Sequence, residues 1–278
     1  MTNCFNGLNQ NCLLAAMPES DLQRIAPHLE LITIRTGDVL YESGGKLSYV
    51  YFPISSTISL QNLMENGSSS EIAGIGSEGM LGTMLLLGGQ SMPCRAIGQI
   101  AGLAYKLRSD ILLKEFNLAG ATLRLLLRYT QSLITQTTQT AVCNRHHSIE
   151  QQLCRWLLLT NDRVACSEIK VTQEIIANVL GVRREGVTEA AGRLQTLGYI
   201  HTRRGHITIT NKQGLEDSVC ECYSVVKKEL NRLMCNSCEP HLVRPLGLPR
   251  STSIFPVLTP PLLPPRLGKA AGRVLMNI

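Results

Sequence analysis

The chain has 278 residues, 44% of them hydrophobic, with one Trp and four Phe, so roughly two domains with aliphatic cores are expected. Its net charge of +6 is local: residues 163–212 hold eight Lys/Arg against four Asp/Glu, and residues 240–278 hold five against none, as a nucleic-acid-binding module and a separate basic tail would. Ten scattered cysteines exclude a disulfide scaffold and suit reduced thiols in the cytoplasm, and the lack of a long uncharged apolar run or a basic, apolar leader excludes a membrane helix and a signal peptide.

Met1 to Ala15 is a lead carrying Cys4 and Cys12. Pro18 to Ile25 is a capped helix that Pro27 ends. Strand signals follow at Glu30–Arg35, Val39–Tyr41, Tyr49–Pro53, Thr57–Leu63, Ser70–Ile75 and, as a last pair, Ala96–Leu107. Glycines punctuate an apolar segment between residues 76 and 89. Short strands about ten residues apart predict an all-β barrel or jelly roll. At Asp110 the period changes. A short helix comes first, then a long one over about Leu118–Val142, apolar on more than one face. Such a helix is read as a dimer seam rather than a simple packing helix, because a protein with one DNA-reading helix usually needs a two-fold partner.

Ser148 to Leu159 is an amphipathic helix, and Asn161 to Glu168 a polar link. His146-His147, just ahead of that helix, is read as polar linker. The stretch from Val171 to Thr210 is the most informative. Thr172 can cap a helix whose apolar face is Ile175, Ile176, Val179 and Leu180, and Gly181 stops it. A second helix over about Arg183–Leu197 buries Val187, Ala190, Ala191, Leu194 and Leu197. Two strands around Arg203-Arg204-Gly205-His206 complete a winged helix-turn-helix with a basic tip. Arg183, Arg184, Glu185, Thr188 and Glu189 are the candidate base-reading residues, because arginine bridges guanine O6 and N7 and glutamate accepts from cytosine N4. Thr172, Gln173, Arg193, Arg203 and Arg204 are the candidate phosphate contacts. Gly186 is unusual inside a helix, where it costs about 1 kcal/mol relative to alanine.

Lys212 to Met234 reads as one C-terminal helix. Beyond it, eight of the twelve prolines fall in the last 39 residues, which predicts a disordered basic tail. Cys220-x-Cys222 and Cys235-x-x-Cys238, with His241 nearby, supply four thiols, and the second spacing suits zinc. On one helix, however, Cys220 and Cys222 would point apart, so no metal site is expected.

With this order of elements the chain resembles the Crp/Fnr family of bacterial transcription regulators over about Glu19–Met234. The resemblance is most specific at Gln173-Glu174-Ile175 through Gly181 and at Arg184-Glu185; a further arginine common one turn later is replaced by Glu189. It implies an α+β protein: an N-terminal double-stranded β-helix, or jelly roll, at 18–109, a linker and dimerisation helix at 110–144, a winged helix-turn-helix at 145–238 and the Pro-rich tail at 239–278. It also implies double-stranded DNA, a second copy and RNA polymerase as partners. The family's roll often binds a cyclic nucleotide through a Gly-Glu and a Pro-Arg-Ser/Thr-Ala. Here the matching stretches are Gly82-Thr83 and Pro93-Cys94-Arg95-Ala96, with Glu78 upstream and unpaired, so cyclic AMP and other cofactors are not expected. An iron–sulfur cluster, which some members hold with N-terminal cysteines, is not expected from Cys4, Cys12 and the distant Cys94 alone. The expected function is sequence-specific DNA binding by a homodimer. The alternative is a ligand-sensing roll whose winged helix binds protein. No catalytic triad, P-loop or dinucleotide motif supports an enzyme.

Overall fold

The computed structural model describes residues 7–164 and 168–234. The Cys235–Cys238 pair, His241 and the Pro-rich tail lie outside the described residues.

Part of the predicted lead is core. Leu8, Leu13, Leu14 and Met17 are buried around a short helix, α1 (Cys12–Ala16). The side chain of Asn11 caps it by accepting from the backbone N–H groups of Leu13 and Leu14. Its Nδ2 donates to the carbonyls of Pro53 and Gly79, both at 2.8 Å. A fully buried amide with every group bonded is a staple that ties this segment to the roll. α2 (Glu19–Ile25) follows, and its Arg24 pairs with the buried Glu115 at 2.5 Å.

Seven strands build the roll: β1 (Glu30–Ile34), β2 (Val39–Tyr41), β3 (Tyr49–Pro53), β4 (Thr57–Leu63), β5 (Ser69–Ile75), β6 (Arg95–Ile100) and β7 (Gly102–Arg108). They form two antiparallel sheets, β1-β7-β3 and β2-β6-β4-β5. Phe52 and Leu107 from the first, and Leu60, Ile75 and Ala96 from the second, meet in one apolar cluster. The glycine-rich connection after β5 is a seat for helices. Gly79 lies so close to the buried Tyr129 ring that an added Cβ would stand 2.0 Å from the hydroxyl oxygen.

α3 (Ser109–Asn117) is separated from the long helix α4 (Ala121–His146) by Ala119, at φ +57°, and Gly120. α4 starts three residues later and ends four residues later than expected; Arg145 and His146 in its last turn favour the negative end of the helix dipole. Its Leu125, Leu126, Tyr129 and Leu133 pack into the roll core.

A second core begins with α5 (Ile149–Val164), whose Leu153, Trp156 and Leu157 pack beneath the remaining elements. At its far end the buried Arg163 turns back to the roll and donates from Nε to Glu78 Oε1 at 2.8 Å, so Glu78 is paired, contrary to expectation. Burial alone would pull the Arg163 pKa down, but Glu78 and Glu71 together hold it above its ordinary value.

After the helix-turn-helix come α8 (Lys212–Ser218) and α9 (Cys222–Met234), two helices where one was expected. Val219 is extended, at φ −76° and ψ 151°, so the helix stops before Cys220. The two thiols of Cys220 and Cys222 are therefore not arranged as neighbours on one helix, and both are buried. Asp162 braces this part. It accepts from Lys212 at 2.8 Å and from the Tyr223 hydroxyl at 2.7 Å, and lies 3.1 Å from Lys227. No helix among the described residues is long and apolar enough to cross a membrane.

Candidate nucleic-acid interface

The interface is built on α6 (Gln173–Leu180) and α7 (Arg184–Thr196). Thr172 Oγ1 accepts from the Ile175 N–H at 3.2 Å, the cap the sequence calls for. Gly181 closes α6 at φ +65°, a left-handed conformation that glycine adopts without steric cost. Val187, Ala190, Ala191 and Leu194 of α7 are buried against Ile176, Val179 and Leu180 of α6. This apolar half fixes which half of α7 faces out. Leu197, expected to be buried, is exposed and caps the helix.

All five candidate base-reading residues, Arg183, Arg184, Glu185, Thr188 and Glu189, are exposed. Thr188 Oγ1 donates to Gln173 Oε1 at 2.8 Å and ties the two helices together at the outer surface. Glu189 is paired with Arg193 one turn on, at 3.0 Å. Arg193 also reaches Glu150 of α5 at 2.9 Å, so its charge is balanced within the protein. Gly186 permits close packing: an added Cβ would stand 2.7 Å from Ile149 Cδ1 at the start of α5.

The wing has three strands rather than two: β8 (Glu168–Lys170), β9 (Ile200–Arg203) and β10 (His206–Ile209), in the order β8-β10-β9. Only Glu168 of β8 falls in the expected polar link, and three residues carry too little alternation to stand out as a strand. Arg203 pairs across the hairpin with His206, which leaves Arg204 and Gly205 as the turn. Between the wing, the start of α6 and the start of α7 lies a groove of about 480 Å³. Thr172, Gln173, Arg184, Arg203 and Arg204 all line it, so four of the five candidate phosphate contacts converge there, with one of the base-reading residues. Among the described residues no carboxylate pairs with Arg183, Arg184, Arg203 or Arg204. His206 also lines the groove and was not singled out from the sequence as a contact.

The roll treats its corresponding polar positions differently. Thr83 is buried at the start of a 3-10 turn. Cys94 and Ala96 belong to the core, and burial pushes the Cys94 thiol up to about 11. Arg95 is out of step with these two and pairs with Glu42 at 3.0 Å.

A family model described as the cyclic nucleotide-binding domain matches residues 31–117, and one described as the Crp-like helix-turn-helix domain matches residues 151–218. A search of curated protein sequences finds no match. Among solved structures, FixK2 from Bradyrhizobium japonicum is similar at 17% identity and a TM-score of 0.59, covering 69% of this chain and 98% of its own. The c-di-GMP responsive global regulator CLP of Xanthomonas campestris is similar at 16% identity and a TM-score of 0.56, covering 69% and 99%. A CRP/FNR family transcriptional regulator from Thermus thermophilus gives 19% identity and a TM-score of 0.53, covering 68% and 97%. With the roll, the long helix and the helix-turn-helix in this order and both family domains matched, the chain belongs to the Crp/Fnr family of transcription regulators.

Proposed function

We propose that the protein is a sequence-specific DNA-binding transcription regulator that works as a homodimer in the cytoplasm, with α7 in the major groove and the wing on the phosphate backbone. One observation carries this reading: Arg184, Arg203 and Arg204 line a single groove, exposed, and among the described residues none of them forms a salt bridge with a carboxylate, although Glu174 also lines the groove. Three unpaired arginines around one groove repel one another more than its single Glu174 offsets, and a polyanion relieves that cost. The N-terminal end of α7 carries the arginine and glutamate chemistry that reads base edges.

The second copy is supported by α4. Its outward residues include Leu127, Gln131, Ile134, Thr138 and Ala141, at alternating spacings of four and three. Leu127 and Ile134 are 41% and 51% exposed, seven residues apart, as in a coiled-coil seam. For the roll, the proposal is that it does not take a cyclic nucleotide in the family's manner: no carboxylate stands at Thr83, and the one arginine nearby faces Glu42. RNA polymerase is the expected partner of the DNA-bound dimer.

Selection of bound duplexes from a random pool tests the reading. A two-fold symmetric motif is expected, bound by the parent and lost in Ile134→Glu, which charges the seam without touching α7. An unstructured selection, or a monomer that binds one half-site as tightly, would overturn it.

A further inference from the structure

Cys143, near the end of α4, His147, just beyond that end, Cys220, in the turn before α9, and Cys222, at its start, converge on one point. Their sulfur atoms and a ring nitrogen all lie within 4.8 Å of one another. The Cys143 and Cys220 sulfurs are 3.7 Å apart, and Cys222 Sγ is 3.4 Å from His147 Nδ1. A tetrahedral zinc ion, with Zn–S about 2.3 Å and Zn–N about 2.0–2.1 Å, sets its ligands about 3.8 Å apart for two sulfurs and about 3.5 Å for sulfur and nitrogen. The Cys143–Cys220 and Cys222–His147 separations match those edges, and the remaining pairs, all within 4.8 Å, need to close by at most about 1 Å to reach them. The three cysteines are buried in a small cluster of their own, apart from both large cores.

The surroundings complete the pattern. Glu221 Oε2 lies 3.4 Å from His147 Nε2, which favours the proton on that nitrogen and leaves Nδ1 as a lone-pair donor facing the sulfurs. Gln152 Nε2 donates to the His147 carbonyl at 2.9 Å and holds the turn. Gln139 Nε2 donates to Cys222 Sγ at 3.1 Å, as a group beside a thiolate ligand would. The buried Arg155 adds a positive charge beside Cys143, suited to a centre in which three thiolates outweigh a divalent ion. A cluster of several irons spaces its thiolates wider, because each binds a different iron, so this set has room for one ion.

We propose that Cys143, His147, Cys220 and Cys222 form a tetrahedral Cys3His site for a zinc-class divalent ion. It clamps the end of α4, where the chain passes into the DNA-binding elements, to the turn between α8 and α9. Binding releases the thiol protons and converts a thiol cluster into a cross-link between segments about 75 residues apart in sequence, the Cys222–His147 separation.

Metal analysis of the full chain, purified under reducing conditions, is the first test, with one zinc per chain expected. Cobalt substitution should then give the ligand-field bands of a tetrahedral site with sulfur-to-metal charge transfer. Cys222→Ser should weaken cobalt binding at least about tenfold. His147→Cys should keep the ion but move its bands toward those of four thiolates, a result that misfolding cannot imitate. The double variant Cys235→Ser/Cys238→Ser should leave the spectrum unchanged. The proposal is overturned if the parent holds no stoichiometric metal and gives no tetrahedral cobalt spectrum, if the double variant alone abolishes that spectrum, or if the purified chain carries a Cys143–Cys220 disulfide instead of the ion. Each readout is of metal rather than DNA, so a failed operator selection leaves it standing.

Discussion

The winged helix and the β-roll have both kept their folds, but they leave different polar groups free. In the winged helix every buried position of α7 is apolar, and Arg183, Arg184, Arg203 and Arg204 are exposed with no salt bridge among the described residues. In the roll three charged side chains are engaged within the protein: Glu78 Oε1 by Arg163, Arg95 by an ion pair with Glu42, and the buried Glu71 by the Ser59 hydroxyl and Gln99 Nε2. Apolar packing preserves a scaffold. Unsatisfied charge marks the place where a partner must supply the missing half of an interaction. By that measure the unpaired arginines of the winged helix call for a partner more strongly than the ion-paired charges of the roll.

The largest expected effect tests the packing that preserves the roll. Gly79→Ala places a methyl group into the buried Tyr129 ring, which can retreat only by displacing α4 from the roll core. Overpacking of this kind should cost about 3 kcal/mol, read as a lower urea midpoint. A loss well under 1 kcal/mol would show that the glycine-rich connection yields freely and is not a seat. Next, Arg184→Ala should weaken specific DNA binding by about 1–3 kcal/mol while leaving the urea midpoint unchanged. If the true operator binds parent and variant equally, the exposed arginine is not a reader, and the contrast between the two regions loses its main support.

These two residues also show what can be read without a structure. The helix-turn-helix was legible because its signals are local: Thr172, Gly181 and the buried stripe of α7 lie within a few residues of the partners they need. The strands were legible for the same reason, by alternation and turn glycines. What could not be read depends on distant pairing. Glu78 looked free because Arg163 lies 85 residues away. Arg193 looked available for phosphate because Glu150 sits on a different helix. The break at Val219 is invisible in an apolar repeat that runs through it, and with it the position of Cys220. Cys143 and His147 are four apart at a helix end, a spacing that shares one helix face, so half of that cluster did have a local signature.

Asp162 offers a smaller effect, within the DNA-binding half. Burial opposes its charge, but Lys212, Tyr223 and Lys227 outweigh that and hold its pKa below the ordinary 3.8. A carboxylate lowered in the folded state stabilises fully above its unfolded pKa, and that contribution is lost as pH falls through the folded value. Asp162→Asn should therefore cost about 1.5 kcal/mol at neutral pH. Below both values the variant and the parent should converge. A constant difference across the whole range would mean that the loss is one of packing rather than charge.

The smallest expected effect is the most direct on the roll. Arg95 is one-third exposed and pairs with a Glu42 side chain that is 63% exposed, and such surface pairs contribute about 0–1 kcal/mol. Arg95→Ala should accordingly shift the unfolding midpoint very little and leave DNA affinity unchanged. The informative comparison adds cyclic AMP to both proteins. A ligand present at a hundred times its Kd stabilises the state that binds it by about 2.7 kcal/mol, well above the resolution of a thermal melt. No shift is expected in either protein, because a cyclic phosphate would have to draw Arg95 off Glu42 and from the side of the strand opposite the core-facing Cys94 and Ala96. A shift in the parent that disappears in Arg95→Ala would show that the roll still captures the ligand, and that the Glu42 pair is a resting state which a stronger anion displaces.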